Sequence, residues 1–108
     1  MSPLERLGLE VAAFQLLGSR TKAAVLRTLI EAGGVSIGWE AIARARPWRE
    51  DLDTESARNA ATTRICLLRQ TLDDVGISDA IVTHEGRGYA LPEPARGQVI
   101  ARLIEVAA

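Results

Sequence analysis

The sequence predicts a mainly α fold carrying one small β-hairpin, an α+β chain whose core is built by helices. Three observations lead there. Apolar residues recur at intervals of three and four along most of the 108 residues. Two short apolar runs, 80–84 and 89–91, flank the sequence EGRG, in which glycine supplies a hairpin turn. A 47% apolar content and a formal net charge of −1 suit a globular chain and not a disordered one.

Length and composition set further bounds. There is room for one domain, residues 1–108, around one core. A single cysteine rules out an internal disulfide and any cysteine-based metal site, which fits a reducing compartment. No apolar run approaches the roughly 18 residues of a membrane span. Glu5, Arg6 and Glu10 interrupt the start too often for a signal peptide, so a cytoplasmic protein without membrane partners is expected. Of the 13 basic residues only Lys22 is a lysine, a bias that a GC-rich genome produces together with the high alanine content.

The first element runs over 3–18. Ser2 can cap it, Pro3 suits the first helical position, and Gly18 closes it. Leu4, Leu7, Val11 and Phe14 recur at three and four and are read as its packing or dimer face. A second helix starts at Ser19, faces Ala23, Leu26, Leu29 and Ile30 inward, and stops at Gly33 and Gly34. A short third helix follows, with Ser36 as its expected cap and Trp39, Ile42 and Ala43 as its stripe, ending before Pro47. Residues 46–53 read as a loop in which Trp48 covers the end of the core or meets a partner.

The long helix over 56–72, capped by Thr54 or Ser56, is the element on which the functional reading turns. Ala61, Ile65, Leu68 and Leu72 fall in one narrow arc and form a buried stripe. On the far side lie Asn59, Thr63, Cys66, Leu67 and Gln70, short or hydrogen-bonding side chains that fit a groove. Arg58, Arg64 and Arg69 occupy the flanks, and no acid occurs between 56 and 72. A helix entering the DNA major groove needs this arrangement: amides and hydroxyls at the centre read base edges, and arginines at the rims reach phosphates. An ordinary amphipathic helix with solvated arginines shows it too. After the helix ends near 74–76 comes the hairpin, and a last amphipathic helix over 97–106 through Val99, Ile100, Leu103 and Ile104.

Three helices followed by a hairpin is the order of a winged helix-turn-helix with an added helix at each end, partitioned as 1–18, 19–91 and 92–108. Two runs make the resemblance specific. Residues 65–72, ICLLRQTL, follow the pattern I-x-x-L-R-x-x-L, and residues 83–91, THEGRGYAL, follow T-x-x-G-x-G-Y-x-L. In that order and at that separation they resemble the recognition helix and wing of the C-terminal DNA-binding domain of OmpR/PhoB-class bacterial response regulators, over about two thirds of the chain. The resemblance implies a long helix in the major groove and a wing at the adjacent minor groove. Carried over by position, it implies contacts from Asn59, Thr63, Arg64, Leu67 and Arg69 and, in the wing, from Thr83, Glu85 and Arg87. Arg58, Thr62, Cys66 and Gln70 join the candidate DNA-binding set from the same helix. Glu85 stands where the family usually has an arginine, and Leu67 and Asn59 replace positions that are often basic. Few phosphate contacts are therefore expected per chain, with correspondingly weak binding by a monomer. The family's receiver domain and leading sheet do not fit the helical first residues, so no receiver switch is expected in this polypeptide.

The leading expectation is a bacterial transcriptional regulator that binds double-stranded DNA without a cofactor. The terminal helices would join two copies or simply pack on their own chain, two readings of equal standing. The alternative is a winged-helix module that binds RNA polymerase or another regulator, with Trp48 and Arg49 as the contact; Glu85, the acidic clusters at 50–55 and 73–79, and the near-neutral charge favour it. An enzyme is not expected, since His84 is the one histidine and no partner is evident for Cys66 as a nucleophile.

Overall fold

The computed structural model describes residues 2–45 and 54–107. Within them the order is α1 (Pro3–Leu17), α2 (Arg20–Glu31), α3 (Trp39–Arg44), α4 (Thr54–Asp74), β1 (Val82–His84), β2 (Gly88–Ala90) and α5 (Ala95–Ala107). The chain is thus mostly helical with a small antiparallel two-stranded sheet. The loop expected over 46–53, with Trp48 and Arg49, lies outside the described residues.

The helix boundaries follow from local chemistry. Ser2 Oγ accepts from the Glu5 amide at 3.2 Å and Ser19 Oγ from the Lys22 amide at 3.2 Å, each satisfying an orphan donor of a first turn. Gly18, at φ 73°, closes α1 in the left-handed conformation. Ser36 does not cap α3. The cap position is Gly38, and the Ser36 hydroxyl instead hydrogen-bonds His84 Nδ1 on β1.

One core runs through the five helices. Leu26, Leu29 and Ile30 of α2, Ile42 of α3, Ala61, Ile65, Leu68 and Leu72 of α4, and Val99 and Leu103 of α5 are all buried in it. The stripe read for α4 is the observed one. Ala80, Ile81 and Leu91, just outside the strands, are buried in the same core and anchor the hairpin at its base.

The stripe read for α1 is not the packing face. Ala12, Ala13 and Leu17 are buried, while Leu4, Leu7, Val11 and Phe14 face solvent. The small residues allow α1 to sit close against its neighbours, and the large ones are left outside. Charge fixes the α1–α2 contact: Arg27 Nε donates to Glu10 at 2.8 Å and its Nη1 to Glu31 at 3.0 Å, with Arg6 on Glu31 at 3.2 Å. Burial opposes the charge on Arg27, but the two carboxylates outweigh it and hold its pKa above the ordinary value.

Candidate nucleic-acid interface

The hairpin is held against the helices by backbone and by arginine. In β1 and β2 Val82 pairs with Ala90, Thr83 with Tyr89 and His84 with Gly88. The Arg87 amide closes the turn on the His84 carbonyl at 2.9 Å, with Gly86 at φ 77°. Beyond it, Tyr89 exchanges both backbone hydrogen bonds with Ile37 at 2.8 and 2.9 Å, so the segment before α3 adds a one-residue third pairing to β2. Gly88 permits this. Its φ is 115°, and a Cβ there would run into the Ile37 carbonyl. The sequence motif shows the glycine but not the neighbour that requires it.

Three arginines tie elements together through carbonyl groups. Arg64 Nη1 donates to the Ile42 and Ala43 carbonyls, both at 3.2 Å, and so adds a donor at the end of α3, where the Ala45 amide also reaches the Ile42 carbonyl at 3.4 Å. Arg69 Nη2 donates to the Ile81 carbonyl at 3.1 Å and to Thr83 Oγ1 at 2.7 Å, with its guanidinium 6.0 Å from the Tyr89 ring centroid. Arg96 Nε donates to the Ile30 carbonyl at 2.8 Å and fixes α5 on the end of α2. Arg64 and Arg69, read on the helical wheel as flanking arms that reach for phosphates, are therefore turned back onto the protein. A wheel shows the direction in which a side chain leaves the helix and not the acceptor it meets.

The outer face of α4 is open. Arg58, Asn59, Thr62, Thr63, Cys66, Leu67 and Gln70 are all exposed, as are Thr83 and Arg87 on the hairpin. The Thr62 and Thr63 hydroxyls donate to the Arg58 and Asn59 carbonyls at 3.1 and 3.0 Å, which leaves their oxygen lone pairs to accept from outside. Between α4 and the hairpin lies an open cleft of about 530 Å³. Arg58, Thr62, Arg87 and His84 line it together with Glu40 and Glu85. Trp39 also lines it, with the Arg58 guanidinium 5.4 Å from its ring centroid. Trp39, Glu40 and Tyr89 are among the residues of this site that the sequence reading did not single out as part of it; the intervals 39–58 and 69–89 carry no periodic signal.

Among the described residues no cluster of His, Cys, Asp and Glu is placed to hold a metal ion, and no helix is long and apolar enough to cross a membrane. No protein-family model, curated protein or solved structure matches the chain.

Proposed function

We propose that this chain is a winged helix-turn-helix regulator that binds double-stranded DNA, with α4 as recognition helix in the major groove and the β1–β2 hairpin as wing at the neighbouring minor groove. The observation that carries the reading is the exposed outer face of α4, free of acids from 56 to 72, set beside the hairpin across a cleft lined by Arg58 and Arg87. The likeness of 65–72 and 83–91 to the OmpR/PhoB motifs supports it. In this reading Asn59, Thr63, Cys66, Leu67 and Gln70 meet base edges, Thr62 and Thr83 meet the backbone, and Arg58 and Arg87 meet phosphates. Arg64 and Arg69 serve by holding α3 and the hairpin at the angle the groove requires.

The test is fluorescence anisotropy of the chain on a pool of random duplexes, titrated with salt, beside an Arg58→Ala, Arg87→Ala variant. Binding that weakens with salt and is lost in the variant supports the reading. Absence of binding at low salt defeats it. Glu40 and Glu85 in the same cleft favour, in that event, a winged helix that receives a basic segment of RNA polymerase or another regulator.

A further inference from the structure

The outward face of α1 is built as an interface. Leu4, Leu7, Val11 and Phe14 are between 41% and 80% exposed, and Ile104 of α5, which shares a groove with Gly8 and Leu9 of α1, is 63% exposed. A helix on a globular surface ordinarily turns such residues inward. Here the inward face is already filled by Ala12, Ala13 and Leu17, with Leu9 and Leu16 partly buried against the core. The large residues therefore remain as a second apolar stripe.

We infer that this stripe joins two copies of the chain through an antiparallel α1–α1′ contact about a two-fold axis. Three features select a second copy. The intervals along the stripe are three, four and three, symmetric about Leu9. Reversing one helix on the other sets Leu4 against Phe14 and Leu7 against Val11, twice each, as an isologous contact requires. The neighbourhood is close to charge-neutral: the face itself carries no ionisable residue, and of the charges that border it Arg6 and Glu10 are paired with Glu31 and Arg27 of the same chain, while Arg20, 5.8 Å from the Phe14 ring centroid, is opposite in sign to Glu5 beside Gly8. No oppositely charged partner is selected. The seam also continues onto α5 symmetrically. Gly8 has open space where a side chain would stand, in an apolar groove of about 380 Å³ that Ile104 shares. Gly8 is one residue from the midpoint of the stripe, so the two-fold brings the two Gly8 grooves, and the Ile104 side chains that line them, to the same flank.

Covering these residues removes on the order of 500 Å² from each copy, about 1,000 Å² in all, which reaches the lower bound of a specific interface. The dimer is correspondingly of modest affinity, with a dissociation constant on the order of micromolar. This contact stands whether or not the chain binds DNA, and its test contains none.

Equilibrium sedimentation of the full chain at about 100 μM is expected to give twice the chain mass. Leu7→Glu is expected to raise the dissociation constant at least about 100-fold, as for a central apolar residue, with an unchanged circular dichroism spectrum because the side chain is exposed. Direction is read by cross-linking in a Cys66→Ser background. A mixture of Leu4→Cys and Phe14→Cys chains is expected to form the mixed disulfide faster than either forms its own, since the two copies of position 4 lie about 15 Å apart along the axis. A single-chain mass at 100 μM, a dimer indifferent to Leu7→Glu, or preferential self-linking of Leu4→Cys would each overturn the inference.

Discussion

Arg69 Nη2 lies 2.7 Å from Thr83 Oγ1, and the same nitrogen reaches the Ile81 carbonyl at 3.1 Å, so one guanidinium on α4 fastens the strand that leads into the hairpin. Arg69→Met keeps the apolar stem and removes both bonds. The expected loss is about 1.5–3 kcal/mol, the range for hydrogen bonds to a charged group, read as a fall in thermal midpoint of several degrees. Amide exchange should accelerate more at Val82 to Ala90 than in α2. A variant as stable as the parent, with an equally protected hairpin, would show that the guanidinium does not hold it.

Arg58 and Arg64 stand six residues apart on α4, on different sides of the helix, and are expected to separate binding from stability. Arg58→Ala removes a stacking contact on Trp39 and should cost no more than about 1 kcal/mol. On DNA it should lower the salt slope by about one. Arg64→Ala leaves the Ile42 and Ala43 carbonyls without this donor and should cost about 1–3 kcal/mol. Denaturant midpoints and anisotropy on the same two proteins check both halves.

Gly88→Ala asks a side chain to adopt φ 115° and to occupy the space of the Ile37 carbonyl. At least about 2 kcal/mol of destabilisation is expected, from strain together with loss of the pairing between Ile37 and Tyr89. Gly8→Ala is the control: that position is helical with nothing near it, and alanine should stabilise α1 by up to about 1 kcal/mol.

Leu67 and Leu68 are adjacent and opposite. Leu68 is fully buried, and Leu68→Ala should cost about 2–5 kcal/mol through lost transfer energy and the cavity left behind. Leu67 is exposed, and Leu67→Ala should stay within about 0.5 kcal/mol. If the outer face of α4 meets DNA, only the second change alters binding at constant stability.

The elements with a one-sided pattern could be read in advance. In α4 the apolar residues occupy one arc and polar ones the other, so Ala61, Ile65, Leu68 and Leu72 had a single way to face. In α1 apolar residues surround the helix, and the largest set, Leu4, Leu7, Val11 and Phe14, is not the face that packs within the chain. Size did not decide it. The close approach of α1 to the rest of the core favours its alanines, and nothing local in the sequence encodes that distance. Ser36 failed likewise as a cap, because its partner, His84, is 48 residues away.

By itself, then, the sequence determined the order of helices and hairpin, the cap at Ser2, the start of α2 near Ser19, and the buried stripe of α4, because these depend on neighbours within a turn or two along the chain. Only the tertiary structure decided that Arg64, Arg69 and Arg96 are spent on carbonyls of other elements, that Trp39 and Arg58 line a shared cleft, and that α1 presents its largest apolar side chains to solvent. The physical reason is range. A cap or a stripe is settled by the geometry of one helix, whereas a guanidinium or an apolar face is settled by whichever acceptor or surface the folded chain brings within a few ångströms.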